Sequence, residues 1–249
     1  MRKETVLFVL MITIAAAAFG ITGQEIIDNA DNAMYPENFR AVMTLTTEGP
    51  ARRDRSMTIQ TFYKQDTGTF MEIQEPPRSR GTRFLQRNEA LWMYNPRSGS
   101  RRAIRLSARD SFQGSLFSNN DIGDPNYADD YTTELLGTES YTHEELGEIE
   151  VYRVEGRANS EEVPYSHIIM LITTDDFIPL YIEYYARSGT LFKRMRFSGI
   201  QQIAGRRRPT VFTLRSEEAQ DTYSRLTIEE LEERNNLPDS MFNQNRLTR

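Results

Sequence analysis

The chain predicts a mainly β, α+β protein built around an antiparallel meander of about ten to twelve strands. Three observations carry that reading. Short runs of alternating apolar and polar residues recur along most of the 249 residues, separated by turn-forming residues. Only one early segment carries helical spacing. A polar, glycine-containing stretch in the middle interrupts the strand rhythm.

The elements follow in order. Arg2 and Lys3 precede an apolar run from Val6 to Phe19 and small residues through Gly23. A positive start, an apolar stretch short for a membrane span, and small residues behind it describe a secretory signal peptide over residues 1–23, cleaved near Gly20 or Gly23. Residues 24–249 are expected to form one domain, long enough for a substantial core. Ile26, Ile27, Ala30, Ala33 and Met34 recur at helical intervals and predict a short amphipathic helix, which Tyr35-Pro36 ends. Strands follow over 39–47, 56–64, 69–75, 82–86, 90–94 and 103–106. Residues 107–131, rich in Asn, Asp, Ser and Gly, predict one or two short helices and a loop crossing the sheet. Strands resume at 131–137, 149–156, 165–174, 180–186, 191–197, 210–216 and 222–231, with a hairpin turn at Arg187-Ser188-Gly189-Thr190.

Composition narrows the function. There is no cysteine, which excludes thiol catalysis, thiolate metal sites and a lipobox anchor. The net charge of −6 argues against nucleic acid as a partner. The basic runs at 52–55, 101–102 and 206–208 suit hairpin tips. Only two histidines are present; His167 falls in a strand and His143 in an expected solvated loop. No nucleophile elbow, metal-ligand spacing or phosphate-binding glycine loop is present, so the expectation is a binding protein with no catalytic residues, metal or cofactor. Carboxylate-pair chemistry stays open, because its three-dimensional spacing is not written in sequence.

What the strands do offer is apolar surface on more than one face. In Leu91-Trp92-Met93-Tyr94, Trp92 and Tyr94 share one face and Leu91 and Met93 the other. Residues 168–172 alternate in the same way, and ten methionines add adaptable surface. Either these residues fill a core, or a curved sheet with an apolar lining sits under a movable cover and takes lipid-sized ligands. The expected lining is Met57, Ile59, Met71, Ile73, Phe84, Trp92, Tyr94, Ile169, Leu171, Ile182 and Tyr184. The expected cover is Ile26, Ile27, Ala30 and Met34 of the helix with Phe112, Gly114, Leu116 and Phe117 of the central segment, where Gly114 supplies hinge freedom.

The central motifs Gly81-Thr82-Arg83-Phe84-Leu85, Leu91-Trp92-Met93-Tyr94-Asn95-Pro96, Arg101-Arg102-Ala103-Ile104-Arg105 and Asp110-Ser111-Phe112-Gln113-Gly114-Ser115 resemble the LolA-like outer-membrane lipoprotein-sorting family. So do Pro179-Leu180, Glu183-Tyr184-Tyr185, Gly205-Arg206 and Pro209-Thr210. The chain departs from the family pattern at Leu116, where an acidic residue is frequent, and around Asn119-Asn120-Asp121. The resemblance implies an unclosed half-barrel wrapped around helices. It also implies a periplasmic, monomeric carrier of acylated lipoprotein or lipid, working between an inner-membrane transporter and an outer-membrane acceptor. The alternatives are an accessory periplasmic component whose interior is filled by its own side chains and a transmembrane β-barrel, which the charge spread along this chain opposes.

Overall fold

The computed structural model describes residues 20–50, 54–88, 90–123, 126–219 and 221–248. The expected signal segment through residue 19 and part of the basic run at 52–55 lie outside them.

The first described element is helix α1 (Gly23–Met34). Thr22 caps it: its hydroxyl accepts from the Glu25 amide at 3.2 Å, and the Glu25 carboxylate accepts from the Thr22 amide at 2.8 Å. That reciprocal box satisfies amides that the first turn leaves unpaired, and it holds the Glu25 carboxyl below its usual range. Gly23 lies flat on a strand, since a Cβ there would approach the Leu135 amide nitrogen to 2.8 Å. Tyr35 is extended and ends the helix before Pro36.

Six strands then run outward as a meander: β1 (Asn38–Glu48), β2 (Arg55–Lys64), β3 (Gly68–Glu75), β4 (Arg83–Arg87), β5 (Ala90–Tyr94) and β6 (Ile104–Leu106). A central segment carries two short helices, α2 (Asn119–Gly123) and α3 (Tyr127–Asp130). It leads to β7 (Tyr131–His143), β8 (Gly147–Ala158), β9 (His167–Thr173), β10 (Pro179–Tyr185) and β11 (Leu191–Ser198). A small hairpin, β12 (Gln201–Ile203) and β13 (Arg206–Arg208), precedes β14 (Val211–Ser216) and β15 (Tyr223–Glu233).

Thirteen of these strands form one unclosed antiparallel sheet in the order β6-β5-β4-β3-β2-β1-β15-β14-β11-β10-β9-β8-β7. The half-barrel and its mainly antiparallel character agree with the sequence reading. The order has a direct consequence. The two edge strands, β6 and β7, are consecutive in the chain, so residues 107–130 must span the sheet from one rim to the other. The middle of the sheet is a seam between β1 and β15, pairing Phe39 with Glu233 and Leu45 with Leu226.

Several expectations need correction. The β7–β8 hairpin is longer than expected, because alternation at 138–143 mixes polar residues on both faces and hides the strand. His143, expected in a solvated loop, is only 5% exposed at the end of β7, and its Nε2 lies 2.9 Å from the Phe197 carbonyl oxygen. The β12–β13 hairpin holds the basic run 206–208, but Arg208 turns inward and donates to the Ala33 carbonyl at 2.6 Å, at the C-terminal end of α1. A cation there meets the negative end of the helix. His167 is half-buried in its strand and stacks on Tyr185 with ring centroids 4.0 Å apart.

A cavity beneath the helix and the central segment

α1 and the central segment lie on the inner face of the sheet. Ile26, Ile27 and Ala30 are buried there with Ala41, Leu45, Ile59, Met71, Ile73, Phe84, Phe112 and Phe117. Met34 and Leu116 pack against the same cluster. Phe112 stacks obliquely on Phe84, with centroids 4.9 Å apart. Gly114 takes φ +78° and Gln113 φ +51°, so the turn carrying Phe112 uses the left-handed region that glycine adopts freely. The expected cover residues are thus all brought to one face.

The expected lining divides. Met57, Ile59, Met71, Ile73, Phe84, Ile182 and Tyr184 face inward with that cluster. Trp92, Tyr94, Ile169 and Leu171 do not, and the structure corrects their placement. Trp92 and Tyr94 pack on the outer face with Phe70, Leu85, Phe242 and Leu247. Leu171 belongs to a second outer cluster with Val151, Ile178 and Leu180. Ile169 is buried on the same side as Leu171, opposite Glu183 of β10. The inward residues of these strands are Leu91 and Met93, and Ile168, Met170 and Ile172.

Register explains the inversion. Arg87 pairs with Ala90 and Phe84 with Met93, because only two positions separate β4 from β5. Directly paired residues share a face, so an inward Phe84 forces Met93 inward and Trp92 outward. Likewise Ile182 pairs with Met170, not with Ile169. Turn length was the signal that could have settled the first parity; the second is set by a register shift between Pro179 and Tyr181 that turn length does not reveal.

A polar device missed by sequence reasoning pins the cover to the sheet. Lys193 of β11 and Asp121 of α2 form an ion pair of 3.0 Å with side chains 4% and 5% exposed. Asp121 Oδ2 also accepts from the Ser118 amide at 2.7 Å and from the Tyr165 hydroxyl at 2.9 Å. Lys193 donates to the Leu116 carbonyl at 2.8 Å and sits over the Tyr165 ring at 4.6 Å. Burial pushes the Lys193 ammonium pKa down, and the Asp121 charge opposes that shift. The sequence signal was a lysine at an apolar parity, since Leu191, Lys193, Met195 and Phe197 alternate on β11. Beside the pair, the Tyr127 and Tyr184 hydroxyls are 2.7 Å apart, and burial raises both phenols.

Under the cover lies a small inner cavity of about 40 Å³, lined by Ala30, Met34, Phe117, Met170, Met195 and Phe212 among others. It meets a wider groove of about 680 Å³, since both are bounded by Asp31, Tyr35, Asp121 and Leu226. Ligand sites typically enclose about 300–1,000 Å³. The groove falls in that range, and the inner cavity as it stands does not. Its methionines are unbranched and readily re-pack. Asp31 sits at the junction, accepting from the Ala128 amide at 2.9 Å. Burial first, then the neighbouring Asp28 and Asp129 charges, raise its pKa to about 7. Among the described residues, no group of three or more histidine or carboxylate side chains is placed to hold a metal ion. No helix among them is long and apolar enough to cross a membrane.

An open antiparallel sheet wrapped around one helix and a rim-to-rim cover defines a LolA-type half-barrel. Solved structures bear this out. A LolA superfamily protein from Nitrosomonas europaea is 27% identical, with a TM-score of 0.81 over 91% of this chain and 100% of that one. An outer membrane lipoprotein-sorting protein domain from Vibrio parahaemolyticus is 20% identical, with a TM-score of 0.77 over 91% and 98% of the two chains. A DUF1329 family protein from Desulfovibrio piger, also 20% identical, gives 0.76 over 90% and 97%. The resemblance to the LolA-like lipoprotein-sorting group therefore holds. Residues 65–249 match the model of a family whose description reads "-like: Uncharacterized protein", and the chain belongs to that family. No curated protein matches it.

Proposed function

We propose that the protein is an exported, periplasmic carrier that shields the acyl chains of a lipoprotein or lipid while they cross an aqueous space toward the outer membrane. The observation that carries this reading is the methionine-rich inner cavity, which is covered by α1 and the central segment and opens onto the wider groove. Each methylene withdrawn from water is worth about 0.8 kcal/mol, so an acylated molecule needs such shelter to move between membranes. A donor transporter in the inner membrane and an acceptor at the outer membrane complete the proposed route, and no chemical step is assigned to the protein. The helix cap supports signal cleavage after Gly20, because cleavage after Gly23 would remove Thr22 and its box with Glu25.

The size of the inner cavity favours a second reading, an accessory component whose interior is already filled. One experiment separates them. The folded protein is mixed with an acylated lipopeptide and its unacylated twin, and complexes are weighed by native mass spectrometry. A bound mass with the acylated form alone supports the carrier. No bound mass with either sinks it in favour of the filled interior. Trp92 lies on the outer face, so its fluorescence is not the readout to use.

A further inference from the structure

The groove that leads to the inner cavity is walled by carboxylates from four separate places: Asp28 on α1, Glu37 in the link to β1, Asp66 in the β2–β3 turn, and Asp129 on α3. Its described lining residues include no lysine or arginine. None of these four carboxylates forms an ion pair among the described residues. A second feature points into the same groove. Thr69 of β3 is 3% exposed, and its hydroxyl has no hydrogen-bond partner although it lines the groove wall. A buried hydroxyl left unpaired costs free energy that a ligand donor would recover. Asp28 and Asp129 accept hydrogen bonds from the neutral amides of Gln24 and Asn126, and carboxylates without a cationic partner around a concave mouth focus a negative potential on whatever fills it.

We propose that the groove is the headgroup site for an amphiphile carrying an ammonium group close to its acyl chain, the ammonium meeting the carboxylate rim and Thr69 while the chain enters the apolar cavity. This rests on the carrier reading of the cavity. It narrows the cargo to cationic or amine-headed amphiphiles and disfavours fatty-acid-like anions, which the rim repels. The same ammonium chemistry is available from an amine-headed lipid or from a lysine beside the acylated residue of a lipopeptide.

The test uses three probes of equal chain length below their micelle thresholds: dodecylammonium, dodecyl maltoside and dodecanoate. Affinities are measured by titration calorimetry with the purified protein. Dodecylammonium should bind about tenfold tighter than the maltoside at low salt, dodecanoate should bind more weakly still, and the preference should fade as salt is raised. The exposed pair Asp28→Asn/Glu37→Gln should cut the preference without disturbing the fold. Thr69→Val, which breaks no existing hydrogen bond, should weaken dodecylammonium alone. A monoacyl amine-headed lipid, and an acylated peptide compared with lysine or glutamine beside its acylated residue, then tell the two sources apart. Equal affinity for all three probes would overturn the headgroup site while leaving the carrier intact. Binding of none would overturn both.

Discussion

Both faces of the large sheet carry buried apolar clusters, yet these are closed in different ways. On the outer face, the C-terminal segment lays Leu237, Met241, Phe242 and Leu247 over Phe70, Leu85 and Trp92. Cations from the strands hold its carbonyls: Lys64 donates to Leu237 at 3.2 Å, Arg87 to Phe242 at 3.1 Å and Arg83 to Leu247 at 3.2 Å. On the inner face, the cover is held by a buried ion pair together with hydrogen bonds such as that of the Leu116 amide to the Ser224 hydroxyl at 2.9 Å, and it leaves a cavity that opens to a groove. The outer cover is fastened at several points, three of them to its backbone, and Lys64 also pairs with the Asp239 carboxylate. The inner one places a buried ion pair at its centre, so one change there should loosen it most. Similar apolar material thus serves as filling on one side and as lining on the other.

The sharpest way to break this comparison is to remove the buried lysine. Lys193→Ala leaves Asp121 buried without its cation and should cost about 3–5 kcal/mol in urea denaturation. It should also raise hydrogen exchange at residues 112–123 ahead of the rest of the chain. If exchange there stays as slow as in β1, the ion pair is not what fastens the cover. Two fully buried phenylalanines, one belonging to each cover, sharpen the contrast further. Phe112→Ala and Phe242→Ala should each cost about 3–4 kcal/mol. Only the Phe112 variant should change the binding of an acylated lipopeptide, and equal effects on binding would dissolve the distinction between lining and filling.

A smaller effect comes from Asp31 at the cavity mouth. Its carboxyl titrates near 7 in the folded chain and near 3.9 when unfolded. Between those values the folded state keeps a proton that the unfolded state has lost, so stability falls as pH rises through that window. Asp31→Asn should therefore match the parent at pH 4 and be more stable at pH 8, by about 1 kcal/mol or more. Denaturation at the two pH values checks the sign, and the opposite order would place Asp31 in a stabilising pair. The smallest change is Thr22→Ala. Loss of the helix cap should cost about 1 kcal/mol, read as a drop in thermal midpoint, and leave the outer cover's exchange rates untouched.

The faces also explain what could be read from the sequence. On β1 the alternation of Phe39, Ala41, Met43 and Leu45 gives the inward face directly, because Arg40 and Thr44 mark the other side. On β5 and β9 it cannot, because both parities are apolar when both faces are covered. Leu91 and Trp92 are equally credible until the two-residue turn before them is counted. The architecture was therefore legible, down to the helix that ends at Tyr35-Pro36 and its burial against the inner face. The buried pair was not, since Lys193 and Asp121 lie 72 positions apart and neither belongs to a recognisable spacing. Nor was the acidic groove, whose carboxylates come from four separate places and meet only through the fold.

The seam between β1 and β15 has a temporal side. Every other pairing in the large sheet joins strands that are neighbours, or nearly so, along the chain, whereas Phe39 must wait for Glu233. Contacts of such long sequence separation are the slow ones to form. The β1–β6 and β7–β11 meanders can each assemble from local hairpins, but the centre of the sheet is completed last. Until that closure, the future interior is open along its whole length, and a chain still being synthesised cannot finish its own core before its last strand arrives.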